Sequence, residues 1–218
     1  AEDGSDLGSQ LTYLYQVLGQ ETRQSNVDEL VARFPYVNGG IFDGSLSIPA
    51  FDRQMRERLL EACAFDWAAI SPAVFGSLFQ AVKDKAARRE LGEHYTTETN
   101  ILKLISPMFL DELRERFMAV GSDARKLERL RADMAKMRFL DPACGCGNFL
   151  VVAYREMRVL DLEILKRLQE LDQKKYGQMM WFTSEQLPIR LTSFHGIEID
   201  EGPARIAATP LHLVEHQP

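Results

Sequence analysis

Cysteine is scarce in this chain. There are three in 218 residues, and two of them, Cys144 and Cys146, lie two positions apart. An odd count clustered this way excludes a disulfide framework and points to a reducing, cytoplasmic compartment. Cys144-x-Cys146 lacks the second ligand pair of a metal site, so the two small side chains read as fitting a crowded turn. No apolar run approaches the roughly 20 residues that span a bilayer. The opening Ala1-Glu2-Asp3-Gly4-Ser5-Asp6 has neither the basic region nor the apolar core of a signal peptide. It also lacks an initiator methionine, and reads as a cut or processed end. A basic excess is missing too: 26 Lys and Arg stand against 32 Asp and Glu, for a net charge of −6. A self-sufficient nucleic-acid binder carries a basic stripe. If this chain serves DNA, most phosphate contacts come from residues outside it.

What is present centres on Phe139-Leu140-Asp141-Pro142-Ala143-Cys144-Gly145-Cys146-Gly147-Asn148-Phe149-Leu150. Arg138 to Leu140 read as the end of a short buried strand, stopped at Asp141-Pro142 because proline has no N–H for a ladder. Small residues make a tight turn. Asn148 then opens a helix whose apolar positions Phe149, Leu150, Val152, Ala153 and Met157 recur near every 3.6 residues. Strand, small-residue turn and helix form the nucleotide-binding corner of a doubly wound α/β domain. A dinucleotide site has G-x-G-x-x-G, which offers a helix N-terminus to pyrophosphate. Here Leu150 replaces the third glycine, and the Asp141 carboxylate would repel phosphate. It suits a ligand with an ammonium or sulfonium group, and S-adenosylmethionine (SAM) has both. A NAD-type Rossmann domain is the alternative.

The rest of the chain reads as follows. Residues 1–33 have helical spacing after a frayed start, residues 34–52 are a loop, and a helix with Met55, Leu59, Leu60 and Cys63 follows. Ser71-Pro72 is a helix start. Thr96 or Thr97 caps the next helix, with Glu98 in its first turn, and residues 111–137 continue as charged amphipathic helix broken near Gly121-Ser122. The stripe Leu127, Leu130, Met134 and Met137 reads as packing. Asn148 to about Lys175 can run as one helix, Tyr176 to Pro188 is an irregular insertion, and Leu191 to Ile199 reads as a second strand. A last helix from about Pro203 meets Pro210, which argues for a kink or an early end.

Glu198 is the second informative acid. At the end of strand two it would accept from both ribose hydroxyls, with Ile199 against the adenine. The usual interval from the glycine turn is about 20 residues, and here the long helix and insertion stretch it. Tyr95-Thr96-Thr97 precedes a helix N-terminus, where hydroxyls and free N–H groups could hold a methionine carboxylate or simply cap the helix. His212-x-x-Glu215-His216 matches a zinc-hydrolase pattern but lacks a third ligand, and His195 reads as a packed or edge histidine. No Ser/His/Asp order or Walker A loop is present.

At these residues the chain resembles the gamma-class N6-adenine DNA methyltransferases. The stretch Phe139 to Leu150 looks like their SAM-binding motif I, Gly92-Glu93-His94-Tyr95-Thr96-Thr97 resembles motif X, and Gly196-Ile197-Glu198-Ile199-Asp200 resembles motif II. The lead-in, Phe34-Pro35-Tyr36-Val37-Asn38-Gly39-Gly40 and Phe65-Asp66-Trp67 to Phe75-Gly76-Ser77-Leu78-Phe79, is similar to MmeI-like type IIG/IIL restriction-modification enzymes. The resemblance implies a partial Rossmann-like α/β methyltransferase domain over residues 91–218, preceded by an α-helical connector over 1–90. It implies SAM contacts from Tyr95, Thr96, Thr97, Asp141, Pro142, Ala143, Gly145, Gly147, Asn148, Phe149, Glu198 and Ile199. The family's catalytic N/D-P-P-Y/F, which orients a flipped adenine, occurs nowhere in these 218 residues. The expectation is therefore a SAM-binding fragment that is inactive alone, with DNA held mainly by regions outside it. A methyltransferase for RNA, protein or a small molecule, or a non-catalytic scaffold domain, remain the other readings.

Overall fold

A computed structural model describes residues 2–37, 40, 42, 47–67, 96–176 and 188–215, with the side chains of 209–215 left aside. The chain divides into two compact units, Ala1–Ser71 and Pro72–Pro218. The expected helix start at Ser71-Pro72 and Tyr95 of the site lie outside the described residues, as do the side chains of His212 and His216.

In the first unit α1 (Leu7–Leu18), α2 (Glu29–Ala32) and α3 (Arg53–Cys63) are helical. The helical stretch expected over residues 1–33 is thus split. Asp28 starts α2, its Oδ1 accepting from the N–H of Leu30 at 2.8 Å, and Asp52 starts α3 in the same way through Met55 N–H at 2.7 Å. Tyr15 stacks on Phe42 with ring centroids 4.8 Å apart. Gly8 is required by a close approach, because a Cβ there would meet the Pro49 carbonyl oxygen at 1.9 Å. None of α3 is buried. Its apolar positions Met55 and Leu60 face solvent.

The second unit holds the main core. Its elements run α4 (Glu98–Ile105), a π-helical turn (Ser106–Leu110), α5 (Asp111–Val120), α6 (Ala124–Met134), β1 (Phe139–Asp141), α7 (Asn148–Leu171) and α8 (Gln173–Tyr176). A 3₁₀ turn (Leu191–Ser193), β2 (Phe194–Gly196) and α9 (Glu201–Glu215) follow. α7 is the central element, burying eleven of its residues from Leu150 to Leu168. Ile101 and Ile105 of α4, Leu113 of α5 and Leu127, Leu130 and Met134 of α6 pack into the same cluster. The stripe on α6 is therefore packing, as its spacing suggests.

Three expected boundaries move. The long helix ends at Leu171 rather than Lys175, because Asp172 leaves helical geometry and its Oδ1 accepts from the N–H groups of Lys174 and Lys175, each at 3.1 Å. The second strand shrinks from Leu191–Ile199 to Phe194–Gly196, its first three residues forming the 3₁₀ turn. The last helix starts at Glu201 and continues past Pro210 to Glu215.

The sheet has two parallel strands among the described residues, paired Phe139 to Phe194, Leu140 to His195 and Asp141 to Gly196. The first strand is not buried as expected: Leu140 is exposed and its neighbours half-buried, because α7 and β2 cover only part of so short a strand. Three-residue strands offer few ladder bonds, and an aromatic stack supplements them. Phe139 lies 4.6 Å from Phe194 with nearly parallel rings, Phe109 leans on Phe139 at 5.0 Å, and Tyr154 of α7 meets Phe194 edge-on at 5.3 Å. Such pairs add about 0.5–1.5 kcal/mol each beyond their buried area.

One ion pair lies inside this core. Arg131 of α6 donates from Nε to Asp161 Oδ1 at 2.6 Å and from Nη2 to Oδ2 at 3.1 Å, and Asp161 is fully buried. Removing one member strands a buried charge, which costs about 3–5 kcal/mol. Urea denaturation should show Asp161→Ala to be destabilised on that scale, with Arg131→Met/Asp161→Leu recovering most of the loss.

A second polar cluster, at the surface, ties α6 to α8. The Tyr176 hydroxyl donates to Glu128 Oε1 at 2.7 Å and the Lys175 ammonium does so at 2.9 Å. Together they hold the Glu128 carboxyl below its ordinary value. A depressed folded-state value adds stability that is complete above the unfolded value of about 4.3 and is lost as pH falls through the folded one. Acid titration of stability should therefore lose part of its slope in that window in Glu128→Gln.

Candidate cofactor site

The site is built where the C-terminal ends of β1 and β2 meet the start of α7. After β1 the chain turns on Pro142 and Ala143, and the Ala143 N–H donates back to Asp141 Oδ1 at 3.1 Å. That bond is an Asx turn, the local use of an aspartate before a turn. Gly145 and Gly147 both have positive φ, 53° and 79°. The Gly147 N–H closes the turn on the Cys144 carbonyl at 2.8 Å. Gly147 is then the N-cap of α7, with no side chain capping that helix.

β2 is laced to the same turn. The Ile197 N–H donates to the Asp141 carbonyl at 2.9 Å, and the Cys144 N–H donates to the Ile197 carbonyl at 3.0 Å. Glu198 completes the clasp. Its Oε2 accepts from the Gly145 N–H at 2.8 Å, while Oε1 accepts from Ile199 N–H at 2.8 Å and Asp200 N–H at 3.0 Å. The 51 positions between Gly147 and Glu198 are thus bridged by the fold. Ile199, beside it, is 95% exposed.

The electrostatics of the turn are negative. Burial, then the charges of Asp141 and Glu198, push the Cys144 thiol up. A thiol so raised stays protonated at neutral pH and is no nucleophile. Among the described residues no group of three or more His, Cys, Asp or Glu is placed to hold a metal ion. His195 is an exposed strand residue.

Thr97 is the N-cap of α4 by position, with extended backbone, yet its side chain makes no capping bond. Thr97 is exposed and Thr96 half-buried. Glu98, the first residue of α4, instead pairs with Arg155 on α7 at 2.5 Å. The structure therefore brings Asp141, Pro142, Ala143, Gly145, Gly147, Asn148, Phe149, Glu198 and Ile199 to one corner. α4, which follows Thr96 and Thr97, is tied to α7 farther along.

Comparison with known proteins gives one consistent likeness. Residues 117–218 match the model of the MmeI DNA-methyltransferase domain. DNA methyltransferase A of Bacillus subtilis (strain 168) is 39% identical over 217 residues, covering 99% of this chain and 24% of that protein. A solved structure of the type IIL restriction-modification enzyme MmeI in complex with DNA superposes with a TM-score of 0.79 at 47% identity, over 98% of this chain and 28% of that one. The chain is thus similar to MmeI-like methyltransferases, with the family likeness carried by residues 117–218. It spans about a quarter of the length of these relatives.

In this MmeI-like chain one glycine and one ion pair near the site lie outside the glycine pattern of the turn. Gly196 faces it: a Cβ there would lie 2.6 Å from Cys144 Sγ and 3.2 Å from Leu150 Cδ1. Gly147 is constrained twice, by φ and by α9, since a Cβ would lie 2.9 Å from that of Ala207. A Cβ on Gly145 would meet nothing within 4 Å. The glycine ahead of Ile197-Glu198 was a usable signal in the sequence; the pairing of Arg155 with Glu98, 57 residues apart, left none. Left-handed backbone costs a non-glycine residue about 1–2 kcal/mol, and overpacking adds about 1–3. In denaturation experiments Gly147→Ala should therefore lose clearly more stability than Gly145→Ala.

Proposed function

We propose that this segment is the cofactor-binding start of a DNA methyltransferase acting on adenine N6 within a restriction-modification protein. In this reading residues 91–218 form the first part of a Rossmann-like domain and residues 1–90 its helical connector, and the protein works in the cytoplasm. The supporting observation is the acid-flanked glycine turn: Asp141 and Glu198 converge on Cys144-Gly145 in a chain similar to MmeI.

The donor set fits SAM in charge. Two carboxylates at the turn favour a ligand carrying ammonium and sulfonium groups and disfavour a pyrophosphate. Bound there, SAM supplies an electrophilic methyl group. Asp141, with Oδ1 engaged by Ala143 N–H, would meet the amino-acid end through its other oxygen. Pro142, Ala143, Gly145, Gly147, Asn148 and Phe149 would supply the surrounding wall, Tyr95, Thr96 and Thr97 the contacts to the methionine carboxylate, and exposed Ile199 an apolar surface for the adenine. A carboxylate offers about four lone-pair sites, and Glu198 already uses three on backbone N–H groups. One ribose hydroxyl can be accepted with the clasp intact; accepting both requires one backbone bond to yield.

Base selection and the transfer itself need the N/D-P-P-Y/F tetrapeptide, which this sequence does not contain. With a net charge of −6, most DNA phosphate contacts would come from other parts of the protein.

Isothermal titration of the full-length protein with SAM tests the reading. Asp141→Ala and Glu198→Ala should each weaken binding about tenfold or more, the size of one charge-assisted contact, and NADH should not bind. Residues 1–218 alone should transfer no methyl group to DNA. Tighter binding of NADH than of SAM, or turnover by the 218-residue chain, would overturn the proposal.

A further inference from the structure

Arg155 joins the two stretches of sequence on which the proposed cofactor site draws. It sits two turns along α7 from the glycine turn, about 10 Å at 1.5 Å per residue. Its Nη2 donates to Glu98 Oε1 at 2.5 Å and to Glu156 Oε1 at 3.1 Å. Glu156 is paired in turn, its Oε2 accepting from Arg114 Nη2 at 2.9 Å. The Glu98 and Arg155 side chains are 32% and 28% exposed, so the pair lies at the margin of the core, where solvent screens it only in part.

Burial of α4 does not depend on this pair, because Ile101 and Ile105 already anchor that helix in the core. The ion pair adds two other things. It sets the N-terminus of α4, and so Thr96-Thr97, at one level along α7. It also deals with an electrostatic conflict. Glu98 occupies the first turn of α4, where its charge suits the helix dipole. The same charge opposes any other carboxylate approaching that helix end. The Arg155 guanidinium neutralises Glu98 and draws it toward α7, and Glu98 in return raises the Arg155 value further.

We propose that Arg155 is a positioning residue for the carboxylate end of SAM: it holds Glu98 so that Thr96 and Thr97 face the cofactor without a competing negative charge. The proposal rests on the SAM reading above. It differs from a purely structural role in one respect, since only a ligand carrying the carboxylate should feel the loss of Arg155.

Titration of the full-length protein with SAM and with decarboxylated SAM separates the two. In Arg155→Gln, SAM should bind about tenfold more weakly, as expected for one unmasked charge, while decarboxylated SAM stays within about twofold of wild type. Adding Glu98→Gln should restore most of the lost SAM affinity by removing the unmasked charge, and Arg155→Lys should restore part of it. Equal weakening of both ligands, or unchanged SAM affinity in Arg155→Gln, would overturn the role while leaving the SAM reading intact. A wild-type protein that binds neither ligand would overturn both.

Discussion

The stacking of Phe139 on Phe194 is the contact on which the geometry of the site depends. Two three-residue strands cannot specify their own register by ladder bonds alone. The two rings, supported by Phe109 on one side and Tyr154 on the other, lock Asp141 opposite Gly196. From that register the rest follows along the chain. Ile197 reaches the Asp141 and Cys144 backbone, and Glu198 arrives beside the Gly145 N–H. A slip of one residue would turn Phe194 away from the core face and carry Glu198 off the turn.

The turn itself is crowded from two directions. Gly196 gives room to Cys144 and Leu150, and Gly147 gives room to Ala207 of α9. These close approaches account for Gly147 and Gly196 independently of any ligand. The proposed cofactor would draw on a different feature, the convergence of two carboxylates on a turn at the head of a helix with no side-chain cap. Both constraints act on the same residues, and sequence alone could not separate them. The space around each glycine does so: Gly196 is demanded by packing, Gly147 by packing and its backbone angle, and Gly145, with free space around it, by its backbone angle alone.

Periodicity located α7, α6 and the break at Gly121, because each buries a long apolar stripe whose spacing survives in any context. It overran where local polar chemistry competes with it. Asp172 ends α7 by capping the next turn, and Asp28 and Asp52 set where α2 and α3 begin. In Leu191–Ser193 a 3₁₀ turn took residues whose alternation resembles a strand. The apolar face of α3 was legible as a pattern, yet it lies exposed in its own unit, since a pattern states what a helix can bury and not what covers it.

Sequence by itself determined the acid-and-glycine chemistry of the turn, because Asp141, Gly145, Gly147 and Glu198 are recognisable by type. It also carried the family resemblance, through motifs confined to short stretches. Only the tertiary structure decided how Glu198 is used, as a clasp accepting three backbone bonds, and that Glu98 is held by Arg155. The reason is distance along the chain. The Glu198–Gly145 and Glu98–Arg155 contacts join residues 53 and 57 positions apart, and no local propensity or spacing rule carries information across such an interval until the core has folded around α7.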